Sequence, residues 1–116
     1  MPKITLTDIL VEKAKREKKY FKNYLFWTRK IKKVAKELFG EVRVFVFGSI
    51  LRKDEIPRDI DILIVSPKFK GSEEKIKANL EIKKKLGFSS PFEFHFASPE
   101  EYSEWYEHFI KEKIEV

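Results

Sequence analysis

Apolar side chains recur at helical spacing between residues 7 and 39. Leu10, Ala14, Phe21, Leu25, Ile31, Ala35 and Leu38 fall near one face. Thr5 or Thr7 can cap the start, and Gly40 is a natural stop. One uninterrupted helix here would be about 50 Å long, too long for so small a domain, so a break is expected near Asn23. The pattern then changes period. Residues 42–48, VRVFVFG, and 59–66, DIDILIVS, are rich in β-branched and aromatic residues and predict two buried strands. Ser72 is expected to cap a helix that stops at Gly87. Residues 91–97, PFEFHFA, alternate strictly, with Phe92, Phe94 and Phe96 on one face and Glu93 and His95 on the other. Ser98, Pro99 and Glu101 form a capping box before a last helix with the stripe Tyr102, Trp105, Tyr106, Phe109 and Ile110. Helices alternating with short strands predict an α/β (α+β) fold of two layers, a small sheet packed by helices. The 116 residues are read as one domain, with 1–40 a helical N-terminal extension and 41–116 the core.

Composition narrows the function classes. Hydrophobic residues are 42% and charged residues 38%, values of a folded globular chain and not of a disordered one. No apolar run approaches the roughly 20 residues of a membrane span, and MPKITLTDIL has no long apolar segment, so no membrane role and a cytoplasmic location are expected. Cysteine is absent, which excludes disulfides and thiolate chemistry. The net charge of +6 is unevenly spread. Residues 1–40 carry twelve Lys/Arg against four Asp/Glu, so the basic surplus lies wholly in the N-terminal third. Such a stripe either attracts a polyanion or acidic partner, or is a solvated helix face. The aromatic cluster Tyr20, Phe21, Tyr24, Phe26 and Trp27 exceeds what one helix face buries, which leaves part of it for an oligomer or partner surface.

Candidate chemistry lies in residues 47–65, FGSILRKDEIPRDIDILIV. Strand alternation puts Asp59 and Asp61 on one face, about 7 Å apart along the chain. Like charges this close repel, and a divalent cation relieves the repulsion. A pair of solvated charges at a strand end is the plainer alternative. Gly48-Ser49 follows a strand directly, where glycine admits close backbone approach to an anion and a helix starting at Ser49 would offer N–H groups to phosphate. Arg52 and Lys53, one turn on, can face a polyphosphate. If the 91–97 strand neighbours 59–66, Glu93 joins the aspartates, and such a triad can hold two metal ions. His95 shares that face as a phosphate or carboxylate contact or as a passive surface residue. His108 is expected to be structural.

These residues resemble the nucleotidyltransferase superfamily typified by DNA polymerase β: an apolar strand, G-S, a spacer, then D-h-D-h with h apolar. The short chain is similar to its minimal nucleotidyltransferase branch, over about residues 42–97. The spacer between Ser49 and Asp59 is nine residues, and Leu51 and Lys53 stand where the branch usually has a small residue and glycine. The resemblance implies a nucleotidyltransferase-like fold with a small mixed sheet. It implies Asp59, Asp61 and Glu93 as catalytic metal ligands for two Mg²⁺ or Mn²⁺ ions, with Gly48, Ser49, Arg52 and Lys53 binding the nucleotide. The implied reaction transfers a nucleoside monophosphate, with ATP the expected donor, to a hydroxyl acceptor such as a protein, and releases pyrophosphate. It further implies pairing with a small all-helical HEPN-like protein as an antitoxin-type module. Two alternatives stay open: a catalytically inactive partner-binding subunit or homo-oligomer of the same fold, and a nucleic-acid binder that uses the basic N-terminal helices.

Overall fold

A computed structural model of the chain describes residues 3–88 and 90–116. Helix α1 (Leu6–Lys22) is followed at once by α2 (Tyr24–Phe39), with Asn23 at the junction. The break falls where the length argument put it. Thr5 caps α1: its hydroxyl accepts from the Asp8 N–H at 3.1 Å, and the Asp8 carboxylate accepts from the Thr5 N–H at 3.0 Å. Strand β1 (Arg43–Phe47) leads through a single 3₁₀ turn (Ser49–Leu51) and a loop to β2 (Ile60–Val65). Next come α3 (Ser72–Leu86) and β3 (Phe92–Ala97). A continuous helical segment then comprises α4 (Pro99–Glu101), a π-helical stretch (Tyr102–Tyr106) and α5 (Glu107–Phe109), before β4 (Lys113–Glu115).

The four strands form one mixed sheet in the order β3-β2-β1-β4. β1 runs antiparallel to β2 and β4, and β2 runs parallel to β3, with Asp61 opposite Glu93 and Leu63 opposite His95. The parallel pair is possible because α3 supplies the crossover. Strand parity divides the sheet into two faces. Val44, Val46, Ile60, Ile62, Ile64, Phe92 and Phe96 are buried against Ile31, Ala35 and Phe39 of α2 and Ala78 and Ile82 of α3. This is the main core, and α2, placed in the extension on sequence alone, is part of it. Phe45, Leu63, Val65 and Ala97 look the other way and are covered by Tyr102, Tyr106 and Ile110 of the C-terminal segment.

Four expectations need correction. Gly71, not Ser72, is the N-cap of α3, and no side chain caps it. The helix expected from Ser49 is one 3₁₀ turn, which ends where Arg52 adopts an extended backbone. The last helix does not bury its whole stripe. Tyr102–Tyr106 is a π-helical stretch, Tyr102, Tyr106 and Ile110 meet the sheet, and Trp105 and Phe109 are exposed and pack on each other at 4.9 Å. The chain then returns as β4, an edge strand with no local signal strong enough to predict it. In the N-terminal helices, Tyr20, Phe21, Tyr24 and Trp27 pack onto the core, whereas Phe26 is exposed. No residue of α1 is buried, and Leu6, Ile9, Leu10 and Val11 are all exposed.

Candidate active site

The site lies on the second face of the sheet, at the end that the C-terminal helical segment leaves open. Parity does the positioning. Phe47 on β1, Asp61 on β2 and Glu93 on β3 are register partners across three adjacent strands, so their side chains stand in one row. His95 stands two residues beyond Glu93 on the same face. The apolar residues between them, Ile60, Ile62 and Phe92, anchor both strands in the main core. The carboxylates are thus carried on rigid backbone.

Asp61, Glu93 and His95 each bring one ligand atom within 4.8 Å of the other two, the one such group among the described residues. His95 Nε2 is 3.2 Å from Asp61 Oδ1. The imidazole also packs on the Phe47 ring, with centroids 5.2 Å apart, which fixes its plane. Asp61 is mostly shielded and Glu93 is exposed. Two carboxylate oxygens and an imidazole nitrogen that converge in this way are a donor set suited to a divalent metal.

Gly48 closes the site from the β1 end. Its backbone has φ 87° and ψ −157°, a conformation open essentially to glycine alone. A Cβ at this position would lie 2.3 Å from Asp61 Oδ2. A glycine after the strand is expected to admit close approach of an anion. The anion it admits within the chain is the carboxylate of Asp61. The following turn is held by Leu51 N–H donating to the Gly48 carbonyl and Arg52 N–H to that of Ser49.

The remaining candidates spread around this centre. Asp59 is exposed, one residue before β2 and outside the three-residue group. It lines a separate polar hollow of about 430 Å³ with Asn79, Lys83 and Glu93, so Glu93 stands between the two. Arg52 is exposed and pairs with Glu55 at 3.1 Å. It lines a hollow of about 470 Å³ beside Phe47 and Gly48, whose far wall is Phe109, Ile110, Lys111 and Glu112. A neighbouring hollow carries Arg52, Lys53, Lys111 and Lys113. Lys111 and Lys113 were not foreseen. In the sequence they are two of many lysines, and only the return of the chain into β4 brings them opposite Arg52. His108 lies in α5 and is exposed.

A small mixed sheet that presents two carboxylates and an imidazole beside a glycine turn and a cationic hollow is an arrangement suited to phosphoryl and nucleotidyl transfer. The family model for the nucleotidyltransferase domain matches residues 28–115. A solved structure named "putative nucleotidyltransferase" is 31% identical, with a TM-score of 0.62 over 76% of this chain and 95% of its own. A second, of the same name and from Sulfolobus solfataricus, is 19% identical and shares the fold, with a TM-score of 0.62 over 84% of this chain and 82% of its own. No curated protein matches. The chain belongs to the nucleotidyltransferase domain family and is a transferase of that family. The match begins at Thr28, inside α2, so α1 lies outside it. Among the described residues no helix is long and apolar enough to cross a membrane.

Proposed function

We propose that this protein transfers a nucleoside monophosphate from a nucleoside triphosphate, with ATP as the favoured donor, to a hydroxyl acceptor. The observation that carries this reading is the convergence of Asp61, Glu93 and His95 directly against the Gly48 turn. The acceptor oxygen would form a bond to the α-phosphorus while the bond to the bridging oxygen of the β-phosphate breaks and pyrophosphate leaves. Gly48, Ser49 and the hollow lined by Arg52, Lys53 and Lys111 would seat the triphosphate, where fixed cations offset the charge of the leaving group. Asp61 and Glu93 would hold a divalent cation, Mg²⁺ or Mn²⁺, which supplies Lewis-acid stabilisation at the α-phosphate. Asp59, in the adjoining hollow with Glu93, would serve a second cation or the acceptor. A protein acceptor is favoured by α1, whose apolar residues Leu6, Ile9 and Leu10 are exposed. A HEPN-like helical protein or a second copy of the chain would fit there.

The test is incubation with each labelled nucleoside triphosphate, a divalent cation and a lysate of the source cell. Label is expected on an acceptor band, and Asp61→Asn should abolish it. Transfer unchanged in Asp61→Asn would overturn the reading. Label on RNA would redirect the acceptor, and label on nothing would favour the inactive partner-binding alternative.

A further inference from the structure

We infer that His95 is a direct ligand of the active-site cation and that the site therefore selects a first-row transition ion, Mn²⁺, Co²⁺ or Zn²⁺, over Mg²⁺. The inference rests on the metal-dependent reading above and deepens it. Three observations carry it. First, the group of converging ligand atoms is Asp61, Glu93 and His95, with Asp59 outside it. The two carboxylates offer oxygens, and the imidazole adds a nitrogen as the third donor atom of that group. Secondly, His95 Nε2 and Asp61 Oδ1 are 3.2 Å apart. Adjacent donors on one ion with bonds of about 2.1 Å stand about 3 Å apart, so the two atoms already have the separation of neighbouring ligands. Thirdly, the contact of the imidazole with Phe47 orients His95, and the missing Cβ of Gly48 leaves room for the Asp61 carboxylate beside it.

Chemistry then decides the ion. Mg²⁺ prefers an all-oxygen octahedron and gains little from imidazole, whereas nitrogen donors suit the later first-row ions. Replacing one of three oxygens by Nε2 tilts the preference away from Mg²⁺. The competing account is that His95 only donates a hydrogen bond to Asp61 and orients it. That role would leave the nitrogen outside the coordination sphere.

The probe is the metal alone, added to the full chain. Mn²⁺-loaded protein should show ¹⁴N modulation of its electron spin echo from a directly bound imidazole, and His95→Gln should lose it. His95→Gln should also weaken Co²⁺ binding by at least about tenfold while changing Mg²⁺ binding by less than about twofold. His95→Asp, which restores three oxygens, should bind Mg²⁺ more tightly than the parent does. Absence of ¹⁴N modulation in the wild-type protein overturns the inference, whatever the variants do. So does a Co²⁺-to-Mg²⁺ affinity ratio unchanged in His95→Gln. Nitrogen-free Mn²⁺ with nucleotidyl transfer intact would sink this inference and leave the proposed reaction standing. Nitrogen-bound Mn²⁺ without transfer to any acceptor would do the reverse.

Discussion

Replacing Gly48 by alanine separates backbone strain from disruption of the site, because Gly40 provides an internal control. Both glycines have positive φ, 87° with ψ −157° at Gly48 and 81° with ψ −133° at Gly40. An alanine in this region costs about 1–3 kcal/mol in either place, which for a domain of this size lowers Tm by about 4 °C per kcal/mol. The surroundings differ. At Gly40 a Cβ meets nothing within 4 Å, while at Gly48 it lies 2.3 Å from Asp61 Oδ2 and 3.2 Å from its Cγ. Ordinary contact begins near 3.4 Å, so the carboxylate oxygen must retreat by about 1 Å. That movement pulls Asp61 from His95 and displaces the proposed metal ligand, and a 1 Å misplacement costs about 100-fold in rate. Gly40→Ala and Gly48→Ala should therefore lose similar stability in a denaturant titration. Only Gly48→Ala should lose about 100-fold in nucleotidyl transfer, with a parallel loss of Co²⁺ affinity by calorimetry. Wild-type metal affinity in Gly48→Ala, or an equal loss of activity in Gly40→Ala, would refute the claim that the glycine exists to admit the carboxylate.

Ile62→Ala empties the centre of the main core, where the side chain is fully buried, and should destabilise by about 2–5 kcal/mol, read as a shift in denaturant midpoint with unchanged slope. Lys111→Ala should raise KM for the nucleoside triphosphate by about tenfold or more, the scale of one hydrogen bond to a charged group, with kcat little changed and the effect shrinking in high salt. Burial acts to raise the Glu101 carboxyl, but its bond to Lys75 at 2.7 Å and the Ser98 N–H outweigh this and hold it below the usual range. A depressed folded pKa gives stability that is present above the unfolded value, near 4.3, and is lost as pH falls through the folded one. Glu101→Gln should flatten that acid limb, by under about 1 kcal/mol because the pair is partly exposed; an unchanged limb would remove the pair from the account.

What could be read from the chain follows from the range of each signal. The sheet face of Asp61, Glu93 and His95 was legible because parity is a two-residue property, fixed once Ile60, Ile62, Phe92 and Phe96 claim the core side. The capping box of Ser98 spans three residues and was equally plain, whereas the pattern left Thr5 and Thr7 open as the cap of α1 and the structure selects Thr5. That Asp61 sits opposite Glu93, with Asp59 left exposed, depends on the register of strands about thirty residues apart, and no local pattern encodes it. The same holds for β4, whose three residues pair with β1 because β1 would otherwise keep a free edge. It is also why Lys111 and Lys113 were invisible as site residues.

The C-terminal helical segment carries the most consequence. The stripe of Tyr102, Trp105, Tyr106, Phe109 and Ile110 is only partly laid on the sheet. Trp105 and Phe109 are exposed, and the cover ends at Ile110. Phe45, Leu63 and Val65 are sealed beneath it, while Phe47, Asp61 and Glu93, farther along the same strands, are not. The end of that segment then forms the wall of the hollow beside Gly48 and delivers Lys111 to its rim. The extent of that segment divides a continuous sheet face into a covered half that is core and an open half that carries the candidate site.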